Sequence, residues 1–167
     1  MTPDDTPVNE IASRFTPLDD ANASCERTCA ELVIYSGDIH PSRVTELLGL
    51  RPTRTVATGE KSPPNSRGLV RVGTLNGWFL SSEEHLDSKD LRRHIDWLIA
   101  QLRPHASSLR ALQQTSEVRM YVKCPWWSRT AGGGPSLWPQ QMQGLADLNL
   151  ECTIDFADYS DEALRSG

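Results

Sequence analysis

The chain has 167 residues, with 22 acidic and 17 basic side chains and a formal net charge of -5. That balance lacks the basic excess of a broad, non-specific nucleic-acid binder. No run approaches the roughly 18 apolar residues that a membrane-spanning helix needs, and the N-terminus lacks the basic-then-apolar pattern of a secretory signal, so the cytoplasm is the expected address.

Residues 1–28 contain three Pro, six acidic and two basic residues without apolar periodicity. Such a segment buries too little surface to offset the entropy of ordering, so it reads as a disordered acidic tail. Residues 29–160 then form a single domain with enough chain for one core, and 161–167 form a flexible C-terminus. The body that remains is close to neutral.

The alternation of Ala30, Leu32 and Ile34 with Glu31, Val33 and Tyr35 predicts a first strand. Pro41 suits a first helical position and Gly49 a left-handed helix end, which places a helix from Pro41 to about Leu48. Thr53 to Thr58 reads as a second strand, followed by a mobile loop around Pro63-Pro64-Asn65-Ser66. Asn76-Gly77 accepts positive φ at both hairpin positions, so Leu69 to Leu75 and Trp78 to Ser82 read as a hairpin, with one bulged strand as the alternative.

Leu91, Ile95, Leu98 and Leu102 recur at helical spacing, with Asp87 or Ser88 available as cap. Pro104 makes the continuation through Leu109 and Leu112 either kinked or a separate short helix. A strand from Val118 to Cys124, a helix from Pro139 to about Asp147 and a last strand with Leu150, Cys152, Ile154 and Phe156 inward complete the body. Strands with one apolar and one polar face imply an α+β fold, a two-layer sandwich of ferredoxin-like character whose mixed sheet carries helices on one face. Ile39, Pro41, Val44, Leu47 and Leu50 are echoed by Leu137, Pro139, Met142, Leu145 and Leu148. The echo reads either as two helices docking alike or as a pattern common to Pro-started amphipathic helices.

Leu47-Leu48-Gly49-Leu50-Arg51-Pro52-Thr53, Gly59-Glu60-Lys61, Gly77-Trp78, the helix through Trp97-Leu98 and the strand Cys152 to Phe156 together resemble a bacterial family catalogued as domain of unknown function 4279. The resemblance covers essentially the whole body and implies its fold and a bacterial origin. It carries no established activity. The Pro125-Trp126-Trp127 step departs from the plainer connection expected there.

Trp126, Trp127 and Arg129, next to the Gly132 to Gly134 run, form with Tyr121 the leading partner-binding site, because adjacent aromatics on a loop offer rigid contact area beside a polar group. The competing reading is that one tryptophan packs under the last helix while the other covers an edge. By strand parity Trp126 is the buried one. Arg51, Arg54, Lys61, Arg67 and Arg71 against Glu60 make a local basic excess, opposed by Asp155, Asp158, Asp161 and Glu162 at the other end. Arg51, Arg54, Lys61 and Arg71, together with free N–H groups at Gly133 and Gly134, are a possible anion site; an ordinary solvated loop is the plainer account.

Tyr35, Arg119, Tyr121 and Lys123 on the open sheet face resemble RNA-stacking sheets, but Glu31, Glu151 and Asp155 would repel phosphates, so nucleic acid is not an expected partner. His40 reads as a helix-entry residue. Neither Cys124 nor Ser36 has a predictable base, and Cys25 with Cys29 lacks a second pair of zinc ligands. No cofactor or metal is expected. The reading is a non-enzymatic protein-interaction domain whose partner is another protein, with an immunity or toxin-neutralising role as its most concrete version. The alternative is a small-ligand-binding or weakly catalytic domain with a basic pocket near the glycine loop.

Overall fold

The computed structural model describes residues 15–158; the ends of the chain, including residues 1–14 of the segment read as a tail and all of 161–167, lie outside the described residues. Chain order runs β1 (Cys25–Thr28), β2 (Glu31–Tyr35), α1 (Pro41–Leu48), β3 (Arg54–Val56), β4 (Gly77–Ser81), α2 (Leu91–Leu102), α3 (Ala106–Gln113), β5 (Arg119–Ser128), α4 (Pro139–Asp147) and β6 (Cys152–Asp158). The fold is α+β. His40 Nδ1 accepts the Ser42 N–H at the start of α1, Pro41 follows it, and Gly49 closes the helix at φ 66°. Asp90, rather than Asp87 or Ser88, caps α2 by accepting the Arg92 N–H. Pro104 sits in a 3-10 turn, Arg103–His105, so α3 is a separate short helix. Among the described residues, no helix is long and apolar enough to cross a membrane.

The sheet is largely antiparallel. β4 lies between β2 and β3, while β5 pairs antiparallel with β1 and β2 and parallel with β6. One parity of side chains, with Leu32, Ile34, Trp78, Leu80, Val122, Cys124 and Trp126, enters a common core with Val44 and Leu48 of α1, Ile95 and Leu98 of α2, Leu109 of α3 and Leu145 of α4. All four helices therefore contribute to the core on one face of the sheet. The other parity carries Tyr35, Tyr121, Lys123 and Trp127, none of which belongs to that cluster.

Several sequence expectations are corrected. The tail does not extend to residue 28: Cys25–Thr28 is β1, paired with the end of β5. Upstream of it, Arg92 donates to the carbonyls of Thr16 and Pro17, and Asp90 accepts the Asp19 N–H at 2.8 Å. Polar main-chain contacts, which leave no apolar period, tie this segment down. Leu69 to Leu75 forms no hairpin strand with β4; an arm, 57–76, folds back on itself through a single bridge, Lys61 with Val72, because β2 and β3 already occupy both edges of β4. β5 does not stop at Cys124 but runs through Pro125, Trp126 and Trp127, so these tryptophans stand on a strand, not a loop.

The register that pairs Glu31 with Lys123 and Thr28 with Trp126 brings Cys29 opposite Pro125, and there β1 and β2 are interrupted. Proline has no N–H to donate, so the break falls where the ladder lacks a donor. The helical echo does not dock alike. Val44 is buried while its counterpart Met142 is exposed, and Leu47 is exposed while its counterpart Leu145 is buried. Ile154 and Phe156 keep the inward parity but remain 41% and 54% exposed, because β6 is the outer strand and the helices cover less of it.

Candidate functional site

The pairing registers arrange the open face in cross-strand rows. The first holds Val56, Gly77, Tyr35 and Arg119; the second Arg54, Phe79, Val33 and Tyr121; the third Ser81, Glu31, Lys123 and Thr153; and the last Arg27, Trp127 and Ala157. Partners in a row point the same way, so their chemistry is shared across strands. The continuous run Gly77-Trp78-Phe79-Leu80 fits β4 as a central strand, buried on both faces.

Three arginines lie over three aromatic rings here. The guanidinium carbon of Arg27 is 3.9 Å from the Trp127 ring centre, that of Arg54 is 3.6 Å from Phe79, and that of Arg119 is 5.4 Å from Tyr121. Planar, weakly hydrated guanidinium stacks on a ring without giving up its edge donors. Tyr35 and Phe79 meet edge to face with centres 6.2 Å apart. Burial raises the Tyr121 phenol above its ordinary value, and the adjacent Tyr35 phenol adds to the effect. Ion pairs offset much of the charge: Arg54 with Glu31 at 3.4 Å, Lys123 with Asp155 at 3.3 Å and Arg27 with Glu83 at 3.5 Å.

The predicted partner site is divided by the sheet. Trp127 and Tyr121 share the open face, six residues and about 20 Å apart along β5. Trp126 lies on the opposite face, fully buried in the core, where its Nε1 has no hydrogen-bond partner among the described residues. Arg129, just past β5, pairs with Glu26 at 2.7 Å. The predicted anion site is divided too. Lys61 and Arg71 line a cavity beside Tyr35, whereas Gly133 packs against Ser24 beyond the far end of β5. Tyr35 pairs with Arg119, and Ser128 stands nine residues further along, about 30 Å away. The glycine run is therefore no part of that pocket. It also stops short of α4, whose cap is Trp138, so its N–H groups do not open the helix. Arg51 lines a different cleft with Trp97 and His85, and Arg54 is engaged by Glu31 and Phe79.

The cysteines lie in or beside the sheet. Cys25, Cys29 and Cys124 are buried, and Cys124 Sγ stands 3.7 Å from Cys152 Sγ. Burial pushes the Cys25 and Cys29 thiols up to about 11. Among the described residues, no group of three or more His, Cys, Asp or Glu side chains could hold a metal ion. Sequence reading missed a buried Ser82 Oγ that lies 2.8 Å from His94 Nδ1. That hydroxyl also accepts the Ala30 N–H, and His94 Nε2 faces the Ser88 carbonyl, so the pair joins the residue before β2 and the residue after β4 to α2 within the core.

A family model described as a domain of unknown function, DUF4279, matches residues 25–159. The chain belongs to this family. The DUF4279 span opens at the first residue of β1 and takes in all six strands, so Arg27 and the Trp127 it covers lie inside the domain. No curated protein and no solved structure matches the chain.

Proposed function

We propose that the protein is a non-enzymatic binding domain of bacterial cytoplasm that docks another protein on its open sheet face. The architecture is read as a two-layer, ferredoxin-like sandwich, in which β2, α1 and β3 form a βαβ unit split by β4, and β5, α4 and β6 form a second. The observation that carries the functional reading is the set of three guanidinium-covered rings, at Arg27 and Trp127, Arg54 and Phe79, and Arg119 and Tyr121, on a face whose opposite side holds the helices. Trp, Tyr and Arg are the side chains that dominate protein interfaces, and stacking presents them already ordered, which lowers the entropy lost on association. A toxin domain neutralised by occlusion of its own active surface would be one partner of this kind.

The test compares proteins captured from the source cell by the wild type, by Trp127→Ala and by Tyr121→Ala, with thermal unfolding measured in parallel. Loss of a partner in either variant at nearly unchanged melting temperature is the expected result. Retention of every partner by both variants would remove the open face from the proposal.

A further inference from the structure

The arm between β3 and β4 encloses a cavity of about 610 Å³ against the open face. Its backbone is held by the Gly59 N–H to the Gly73 carbonyl at 2.8 Å, the Gly73 N–H to the Glu60 carbonyl at 2.8 Å and the Ser62 N–H to the Arg71 carbonyl at 2.7 Å. At Gly73 a Cβ would stand 2.1 Å from the Ala57 carbonyl oxygen, so the close crossing of the arm requires glycine. At Gly77 a Cβ would lie 2.7 Å from the Phe79 ring, so the missing side chain keeps the edge of that ring open to the cavity.

The lining is divided chemically. Tyr35 and Phe79, meeting edge to face, supply an aromatic corner that Val72 and Leu75 extend with aliphatic surface, and Lys61 and Arg71 supply cations. Neither cation has an ion pair among the described residues, in contrast to Arg27, Arg54, Lys123 and Arg129. Arg119 stands beside Tyr35 in the same sheet row, also without an ion pair among the described residues. Glu60 is the one carboxylate in the lining, so the cavity keeps a net positive charge. Val72 and Leu75 are 54% and 60% exposed, which leaves apolar surface at the site that a bound body would cover. A volume in the range of small-molecule sites, an apolar wall and a few polar groups on one side are the ingredients of ligand recognition.

We propose that this cavity binds a small amphipathic anion, a flat apolar ring system carrying one anionic group. The ring packs into the corner that Tyr35 makes with the edge of Phe79, beside Val72 and Leu75, and the anionic group faces Lys61 and Arg71. A guanidinium and an ammonium accept either a carboxylate or a phosphate, so the chemistry they share is the anionic oxygen. The cavity shares Phe79 with the docking face proposed above but lies away from its Trp127 end, so Trp127→Ala tests that face without touching this site.

The experiment titrates the full chain, isotopically labelled for amide NMR, with 2-naphthoate, with the neutral 2-naphthol, with the cationic 2-naphthylmethylamine and with inorganic phosphate. Saturable shifts for 2-naphthoate confined to residues 57–62 and 71–79 are expected, with at least tenfold weaker binding of the neutral and cationic analogues. The exposed pair Lys61→Gln and Arg71→Gln, combined, should weaken 2-naphthoate at least tenfold and leave 2-naphthol unchanged, while Trp127→Ala should leave both unchanged. Phosphate alone should bind more weakly than 2-naphthoate, since it lacks the ring. Absence of saturable shifts, or 2-naphthol binding the wild type as tightly as 2-naphthoate, overturns the proposal even if the double variant is unstable. Equal binding of 2-naphthoate by the folded double variant and the wild type overturns the assignment of Lys61 and Arg71.

Discussion

Replacing Arg92 with Met tests the least expected part of this structure, the clasp that ties residues 15–24 to α2. Arg92 is 3% exposed, and its guanidinium donates to Asp90 at 2.9 and 2.6 Å and to the Pro17 carbonyl at 2.8 Å, with a further bond to the Thr16 carbonyl. The Trp138 ring, whose Nε1 also donates to Thr16, lies 4.8 Å from the guanidinium carbon. Methionine keeps most of the side-chain length but strands the buried Asp90 carboxylate, and breaking a buried ion pair from one side costs about 3 to 5 kcal/mol. Asp90 retains the N–H groups of Asp19 and Arg92, which argues for the lower end, about 3 kcal/mol. With a urea slope of about 2 kcal/mol per molar, the unfolding midpoint should fall by roughly 1.5 M.

Protease should at the same time cut residues 15–24 faster. Adding Asp90→Asn to Arg92→Met should recover about 1 kcal/mol, because it removes the stranded charge. Burial alone would raise the Asp90 pKa, but the Arg92 hydrogen bond and the two N–H groups outweigh it and hold the carboxyl below 3.8. A folded value below the unfolded one means that this stability is present above pH about 4 and is lost as pH falls through the depressed value. Arg92→Met should therefore flatten the acid limb. A midpoint shift under about 0.5 M, with 15–24 still protected, would refute the clasp.

Leu98 is fully buried on α2, so Leu98→Ala should cost about 2 to 5 kcal/mol by chemical denaturation. Trp126→Ala should cost about 3 to 5 kcal/mol, and Trp127→Ala, which removes a half-buried ring from the open face, about 1 kcal/mol or less; equal losses in thermal melts would contradict the parity of β5. With the Cys25 and Cys29 thiols at about 11 when folded against 9.0 unfolded, their contribution is intact below pH 9 and is lost as pH rises toward 11. The wild type should lose stability across that window more steeply than Cys25→Ala, as read by urea midpoints at each pH.

Local signals that act within one element could be read directly. Pro41 and Gly49 bracket α1, the apolar stripe marks α2, and Pro104 divides α2 from α3, because caps, periodicity and a missing N–H need no distant partner. The alternation of Val122 and Cys124 with Tyr121 and Lys123 was legible by the same logic, and its parity carried on to Trp126 separates a core tryptophan from a surface one, whereas the continuation of the strand through Pro125 was not legible. Family membership rested on short motifs spread along the body, which act together. What tertiary structure decided was each feature whose energy comes from afar. The four residues of β1 take their strand pairing from β5, and residues 15–24 hold through main-chain bonds to Asp90 and Arg92 that no apolar period announces. The same holds for the site. Arg27 finds Trp127 one hundred residues away, Lys61 and Arg71 meet Tyr35 because the arm folds back, and Gly133 is carried to the other end of the sheet. Arg119 and Tyr121 are neighbours on one face of β5, but only sheet register placed Arg27 over Trp127 and Arg54 over Phe79, since register is set by long-range pairing that the local chain does not encode.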